Sequence, residues 1–261
     1  MKPFKLGILG DGQLAKYLIA SAQKQGVEAV AMGLNPLECI EDIHHYCGDI
    51  YNEKDVIDFA NSVDIITLEN EFIPLHILNK IKSKMIPSYE SFKLIENKLA
   101  EKKLAKKINI PLASYKSLEL SSLKFIPNRF YKLAKGGYDG NGNFLVKDKR
   151  DYERMLEALK GLENVLLIEE EMINFEKEVS ITLVRNQIGE IVVYPIVDTI
   201  QKKHVCEFVS VPALLNQEIK EKIVKFSKKI LENMSNYLHQ ENAMHLMQFL
   251  KHLDSMQMKI K

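Results

Sequence analysis

"RFYKLAKGGYDGNGNFLVKD", residues 129–148, is the stretch on which the reading of this chain turns. Residues 135–143 of it hold four glycines and two asparagines in nine positions. So few side chains leave mostly backbone N–H groups on offer, in dihedrals that glycine adopts without steric cost. "FYKL" and "NFLVK" on either side are short and apolar, so the pattern predicts strand, glycine loop, strand. It is neither a G-x-x-x-x-G-K-[ST] loop nor a strand-to-helix turn. Lys132 falls on the strand before the loop. Two readings follow. One is a plain turn; the other is a cover for a polyphosphate, with loop N–H groups on the oxygens and Lys132 supplying charge.

Downstream, "NVLLIEEEMINFEKEVSITLVR" (164–185) is a buried-strand run ending in Glu169, Glu170 and Glu171. A short connection follows, then "EVSITLVR" as one strand. The three glutamates read either as a solvated acidic turn or as the hinge of a nucleotide cleft. In such a cleft Glu170 accepts from the adenine amino group, the backbone of Glu171–Ile173 reads the ring edge, and Glu178 meets the ribose hydroxyls. "GEIVVYPIVD" and "HVCEFVSVPA" add strands, and "NQEIKEKIVKFSKKILENMSNYL" a long helix. Upstream, "KLAEKKLAKKI" (98–108) predicts a basic amphipathic helix with a solvated face opposite an apolar stripe.

The first third reads differently. "FKLGILG", "VEAVAMG" and "VDIITLE" are apolar strand-like runs. They alternate with the helix-like "QLAKYLIASAQKQG" and "EKDVIDFANS", which implies a doubly wound parallel sheet. The first turn, Gly10-Asp11-Gly12-Gln13-Leu14-Ala15, matches G-x-G-x-x-A, the fingerprint of a dinucleotide site. The second strand, however, ends in Gly33-Leu34-Asn35, without the acid that holds a ribose hydroxyl. A tight α/β turn or a phosphate ligand other than NAD fits better. "TLENEF" puts Glu69 and Glu71 beyond the carboxyl end of a strand, where ligands of open sheets sit. Equally, these are carboxylates gathered at a helix N-terminus.

Composition narrows the class. The 261 residues suffice for one large domain or two smaller ones, and 46% hydrophobic with 27% charged is ordinary for a globular protein. A net charge of +1 gives no reason to expect nucleic acid or an anionic membrane. Three cysteines without C-x-x-C spacing argue against a disulfide framework and for a reducing compartment. The seven histidines, among them His44, His45 and His204, lack metal-ligand spacing and are read as incidental. No signal peptide or transmembrane run is seen, so a cytoplasmic location is expected.

Lysine, glycine hairpin, hinge acids and the glutamate after them, in this order, resemble the ATP-grasp fold. Within it the blocks resemble the N5-carboxyaminoimidazole ribonucleotide synthetase family: "GILGDGQLAK", "TLENEF", "NKLAEKKLAKKINIP", "KGGYDGNGN" and "EEEMINFEKEVS". The likeness runs from about Lys5 to about Tyr237. It implies an α/β architecture: a pre-ATP-grasp domain over 1–95, an incomplete ATP-grasp domain over 96–238 and a divergent tail over 239–261. It also implies a ligase. ATP phosphorylates bicarbonate to carboxyphosphate, and the amine of 5-aminoimidazole ribonucleotide captures the carboxyl group. By the resemblance Lys98, Lys132, Gly137, Tyr138, Asp139, Gly140, Asn141, Gly142, Asn143, Glu170, Glu171, Met172, Ile173, Glu178 and Gln201 line the ATP cleft. Gln13, Glu69, Glu71 and Tyr138 are placed to meet the aminoimidazole ribonucleotide. ATP and Mg²⁺ are the implied cofactors, and a homodimer the implied assembly.

The sequence also departs from that family. Ala15 and Lys16 replace a glycine and an arginine, Lys98 an arginine, Asn143 a glutamine and Gln201 a histidine. Where the family continues with a Mg²⁺-binding glutamate strand, an asparagine–glutamate pair and an Ala-Pro-Arg block, this chain runs "HQENAMHLMQFLKHLDSMQMKIK". Glu241 and Asp254 stand isolated there in a Met-rich, helix-like stretch, and no metal ligands are assigned. A truncated or frameshifted gene gives this picture. The expectation is then little or no ligase activity and an exposed sheet edge behind "YPIVD". Two other readings remain: a catalytically dead nucleotide-binding remnant, and a nicotinamide-dependent oxidoreductase built on Gly10–Ala15.

Overall fold

The computed structural model describes residues 4–34, 44–69, 72–136, 142–162, 165–186, 188–202, 205–237 and 245–246. The chain divides into two compact units, Met1–Lys93 with Glu241–Leu246 and Leu94–Gln240 with Met247–Lys261.

The apolar runs of the first unit form one parallel sheet. Its strands are β1 (Lys5–Leu9), β2 (Glu28–Gly33), β3 (His44–Cys47) and β4 (Ile65–Leu68), in the order β3-β2-β1-β4. Parallel neighbours need crossovers, and α1 (Gln13–Lys24) and α2 (Glu53–Asn61) lie between the strands in the chain. α1 packs Ala15, Ile19 and Ala22 against Ile8, Ala29 and Ala31. Asn52 caps α2, accepting from the N–H groups of Lys54 and Asp55 at 3.0 and 3.2 Å. Two helices, α3 (Leu75–Ile81) and α4 (Tyr89–Ile95), complete the unit's regular structure up to its end and just beyond. The His44–His45 pair, read as incidental, is in fact the start of β3, the edge strand beside β2. "HHYC" carries no apolar run, so only pairing with β2 makes it a strand.

The second unit is built on an antiparallel sheet of order β5-β8-β6-β7, with β5 at Tyr115–Glu119, β6 at Arg129–Leu133, β7 at Asn143–Val146 and β8 at Leu166–Glu171. Strand alternation gives it two unlike faces. On one, Tyr131, Val146 and Leu167 meet Met155 and Leu159 from α6 (Lys149–Ala158) and the turn after it. On the other, Ile168 and Ala134 meet Leu99 of α5 (Lys98–Lys107), with Tyr115 beside them. The far side of α5 presents Leu104 and Ala105 to a larger core with Ile223, Ile230 and Leu231 of α7 (Gln217–Tyr237).

The single strand expected over "EVSITLVR" is two. β9 (Glu178–Ser180) pairs antiparallel with β12 (Val197–Lys202), which pairs on with β13 (Val205–Ser210). β10 (Leu183–Arg185) pairs instead with β11 (Ile191–Val193). Between them Ile181 and Leu183 sink into the α5–α7 core at 2% and 0% exposure. In the tail, read as helix-like, the described residues His245–Leu246 are extended. Among the described residues no helix is long and apolar enough to cross a membrane.

Candidate nucleotide site

The α5 face of the second unit's sheet carries charge where a core would carry hydrocarbon. Glu170 on β8 is wholly buried. Its Oε1 takes Lys102 Nζ at 2.6 Å and its Oε2 takes Lys132 Nζ at 3.1 Å. Register explains the meeting. Phe130 and Tyr115 lie directly across from Glu170 on the flanking strands, and Lys132 lies across from Ile168, one alternation along. Each ammonium also stands over an aromatic ring, Lys132 over Phe130 at 5.0 Å and Lys102 over Tyr115 at 5.2 Å.

α5 supplies the rest. Asn97 caps it by accepting from Leu99 N–H at 3.0 Å and Ala100 N–H at 3.4 Å. The cap fixes the helix start beside the hairpin, where the Lys98 N–H donates to Ala134 O at 2.9 Å. Lys98 Nζ then donates to the Gly136 carbonyl at 2.7 Å, at the mouth of the glycine loop. Lys98 and Lys102 are one helical turn apart and share a face. Both are buried, as is Glu101. The basic helix keeps the expected solvated face in Lys103, Lys106 and Lys107, which are exposed, but Lys98 and Lys102 turn inward.

Three buried ammonium groups, Lys98, Lys102 and Lys132, face two buried carboxylates, Glu101 and Glu170. Isolated buried charge is costly, so it is retained where something compensates it. Burial holds the Lys132 ammonium below its ordinary 10.5; Glu170 opposes that shift, while Lys102 and Lys98 add to it. Lys98 is lowered by burial too, with Glu101 opposing. On the opposite face Glu169 has its own partners. It accepts from Tyr131 OH at 3.1 Å and pairs with Lys116 at 3.2 Å and Arg129 at 3.6 Å. Burial and that carboxylate drive the Tyr131 phenol well above its usual range. The reading of "EEE" as a solvated turn is therefore corrected: Glu169 and Glu170 are strand residues, 6% and 0% exposed.

The hairpin closes as expected, Lys132 opposite Asn143 and the Leu133 N–H on Gly142 O at 2.9 Å. Gly136 and Gly142 bracket the loop with φ of 70° and 80°, where a Cβ would be strained. Asn143 Oδ1 is buried with no hydrogen-bond partner among the described residues. Gly137, Tyr138, Asp139, Gly140 and Asn141 lie outside the described residues, as does Glu71. At the hinge, Glu171 N–H already donates to Ser114 O at 3.0 Å. Regular structure ends there, and Met172 and Ile173 follow without strand pairing. Glu178 and Gln201 stand on the second sheet, at the start of β9 and in β12 beside a bulge. Sequence reasoning missed Lys102; its spacing of four from Lys98 was the available signal. A groove of about 640 Å³ along α7, lined by Lys220, Lys225, Lys228 and Lys229 among others, shares no residue with this cluster.

In the first unit the glycine turn is filled by acids. A Cβ on Gly10 or Gly12 would strike the Glu69 carboxylate, and one on Gly33 would strike Asp11. Gln13 begins α1 and is exposed.

A model of the ATP-grasp domain matches residues 100–237, and one of the ribonucleotide synthetase preATP-grasp domain matches residues 1–96. The chain belongs to the ATP-grasp family. Phosphoribosylaminoimidazole carboxylase of Candida glabrata is 30% identical over 232 residues, 83% of this chain and 40% of that one. N5-carboxyaminoimidazole ribonucleotide synthase of Staphylococcus aureus (strain COL) is 30% identical over 239 residues, 86% of this chain and 63% of that one. Among solved structures, carboxyaminoimidazole ribonucleotide synthase of Aspergillus clavatus complexed with ATP superposes with a TM-score of 0.76 at 26% identity. It covers 88% of this chain and 63% of that one. The chain thus spans from two fifths to under two thirds of the length of these relatives. The ATP-grasp match takes in Glu101, Lys102, Lys132 and Glu170 of the cluster, with Lys98 two residues before it, and the α/β order agrees with that assignment.

Proposed function

We propose that the second unit binds ATP between the glycine hairpin, α5 and the β8 hinge. We further propose that the protein serves the carboxylation of 5-aminoimidazole ribonucleotide by bicarbonate through carboxyphosphate, in purine biosynthesis. The observation that carries the first part is the buried surplus of lysine over glutamate beside a glycine loop. A polyphosphate complements that surplus, and phosphoryl transfer is mostly positioning and charge stabilisation. Lys98 and Lys132 serve the phosphates, with the hairpin N–H groups closing over them. Glu170, its position fixed by two lysines, retains lone pairs for an amino group on the base, since a carboxylate has about four acceptor sites. Met172 and Ile173 offer backbone to the ring edge, and Glu178 serves the ribose. The second part is supported by the names of the relatives and by the two family models, which match residues 1–96 and 100–237. Gln13 and Glu69 in the first unit are the described residues proposed for the ribonucleotide.

Mg²⁺ accompanies this chemistry in the family. The described residues do not fit it: both oxygens of Glu170 are paired with lysine, and no group of three or more His, Cys, Asp or Glu is suited to a metal among the described residues. No step is routed through it here.

Calorimetric titration with ATP and GTP tests the binding. ATP should bind and GTP much more weakly, because a guanine carbonyl would face the Glu170 carboxylate; equal or tighter GTP binding overturns the hinge assignment. ADP release that requires both bicarbonate and aminoimidazole ribonucleotide tests the reaction. Nucleotide binding without that dependence would favour a binding remnant.

A further inference from the structure

Glu170 has two cations where one would neutralise it, and the second, Lys102, comes from the middle of α5 with no exposed surface. Its ammonium is committed to Glu170 Oε1 at 2.6 Å, the shorter of the two contacts. Its role must act through that partner. We propose that Lys102 is a positioning residue that neutralises Glu170 in place of Lys132, so that the positive charge of Lys132 and Lys98 is left for the ligand's phosphates. The inference rests on the reading of this cluster as a nucleotide site.

Among the described residues the charged groups of the cluster are Lys98, Glu101 and Lys102 from α5, Lys132 from β6 and Glu170 from β8, with the Tyr115 ring from β5 beneath Lys102. With Lys102 the cluster carries a surplus of one positive charge. Without it Lys132 and Lys98 would be matched one to one by Glu170 and Glu101, and the surplus would vanish. In a buried setting such a change is felt at full strength, because little water screens it. Lys102 also grips the oxygen that Lys132 does not, so the carboxylate is held at both ends and cannot swing towards the phosphates it would repel.

Titration of the full chain with ADP, adenosine and inorganic tripolyphosphate tests this. Lys102→Met should weaken ADP and tripolyphosphate by about tenfold or more, the scale of a lost charge-assisted contact, and weaken adenosine less, through the Glu170 it holds. Adding Glu170→Gln to it should restore tripolyphosphate binding, since Lys98 and Lys132 then face Glu101 alone. Glu170→Gln by itself should bind tripolyphosphate more tightly than wild type, and Lys102→Arg should behave as wild type. Removing the partner of a merely structural lysine would restore stability in urea denaturation, but it would not carry the tripolyphosphate affinity of Glu170→Gln above that of wild type. Unchanged ADP binding in Lys102→Met, or a double variant no better than the single, overturns the inference and leaves the nucleotide reading intact. If Lys102→Met does not fold, Glu170→Gln decides: weaker tripolyphosphate binding overturns it. A wild-type chain that takes tripolyphosphate but gains nothing from the base of ADP defeats the nucleotide reading and spares the charge rule. A wild-type chain that takes neither defeats both.

Discussion

Each unit of this chain has a glycine-rich turn beside a helix start, and the two are charged oppositely. In the first, Gly10 and Gly12 make room for the Glu69 carboxylate, which sits where a dinucleotide phosphate would press against the turn. In the second, Lys98 and Lys132 border the hairpin, and the buried carboxylate of Glu170 is engaged by two lysines. Glycines supply close approach in both; the sign of the neighbouring charge decides what approaches. A carboxylate near a helix start is favourable for the helix dipole, but it repels the anion that the motif otherwise suits. A carboxylate in that place counts against the oxidoreductase reading of the first turn, as does the missing ribose acid.

The comparison breaks most visibly at Lys132. Lys132→Ala should weaken ATP binding by about a hundredfold, as loss of a buried charged contact of about 3 kcal/mol would. Lys135→Ala should stay within about twofold, because its ion pair with Glu96 is half exposed and such pairs contribute little. Equal costs, measured by calorimetry, would mean the register of β6 is not what orients the cluster.

A milder effect separates structure from binding in the first turn. Gly10→Ala puts a Cβ at φ 122° against the Glu69 carboxylate, and should destabilise the fold by about 1–3 kcal/mol. Chemical denaturation reads that cost. ATP affinity of the folded fraction should not change, and NADH should not bind to either form; NADH binding by the wild type would restore the dinucleotide reading.

The smallest effect is on pH. Burial lowers Lys132 in the folded state below its ordinary 10.5. The unfolded chain therefore binds more protons in the window beneath 10.5, and folding stability contributed by this group rises with pH there. Relative to Lys132→Met, wild type should gain stability on going from neutral pH towards that upper limit. Polyphosphate should shrink the gain, since an anion restores the proton. Urea denaturation across the alkaline range checks the sign; a wild type that loses stability relative to the variant would show that Glu170, not burial, dominates the lysine.

Much of this was legible in order and type. Apolar runs alternating with helical ones gave the parallel sheet, because a strand buried on both faces has to be apolar along its length. The hairpin was legible for the opposite reason: so many glycines between two short apolar segments leave few other conformations. Lys132 could be singled out because it interrupts one of those segments. What failed were judgements about burial of polar residues. "HHYC" was passed over because a polar edge strand has no pattern of its own until β2 pairs with it. "EVSITLVR" was read as continuous because its alternation is regular, whereas Ile181 and Leu183 are drawn into a core shared with α7, forty residues or more along.

The sequence by itself determined the order of elements, the glycine hairpin and the placement of the strand lysine, all set by neighbours within a few positions. Tertiary structure decided the charges. Whether Lys98, Lys102 and Glu170 face water or one another depends on α5 packing over β5, β8 and β6, whose residues lie up to some seventy positions apart. A lysine on an amphipathic helix carries the same local signature in either place. Only when a distant strand brings a buried carboxylate within 2.6 Å does the ammonium gain a partner strong enough to offset its lost hydration.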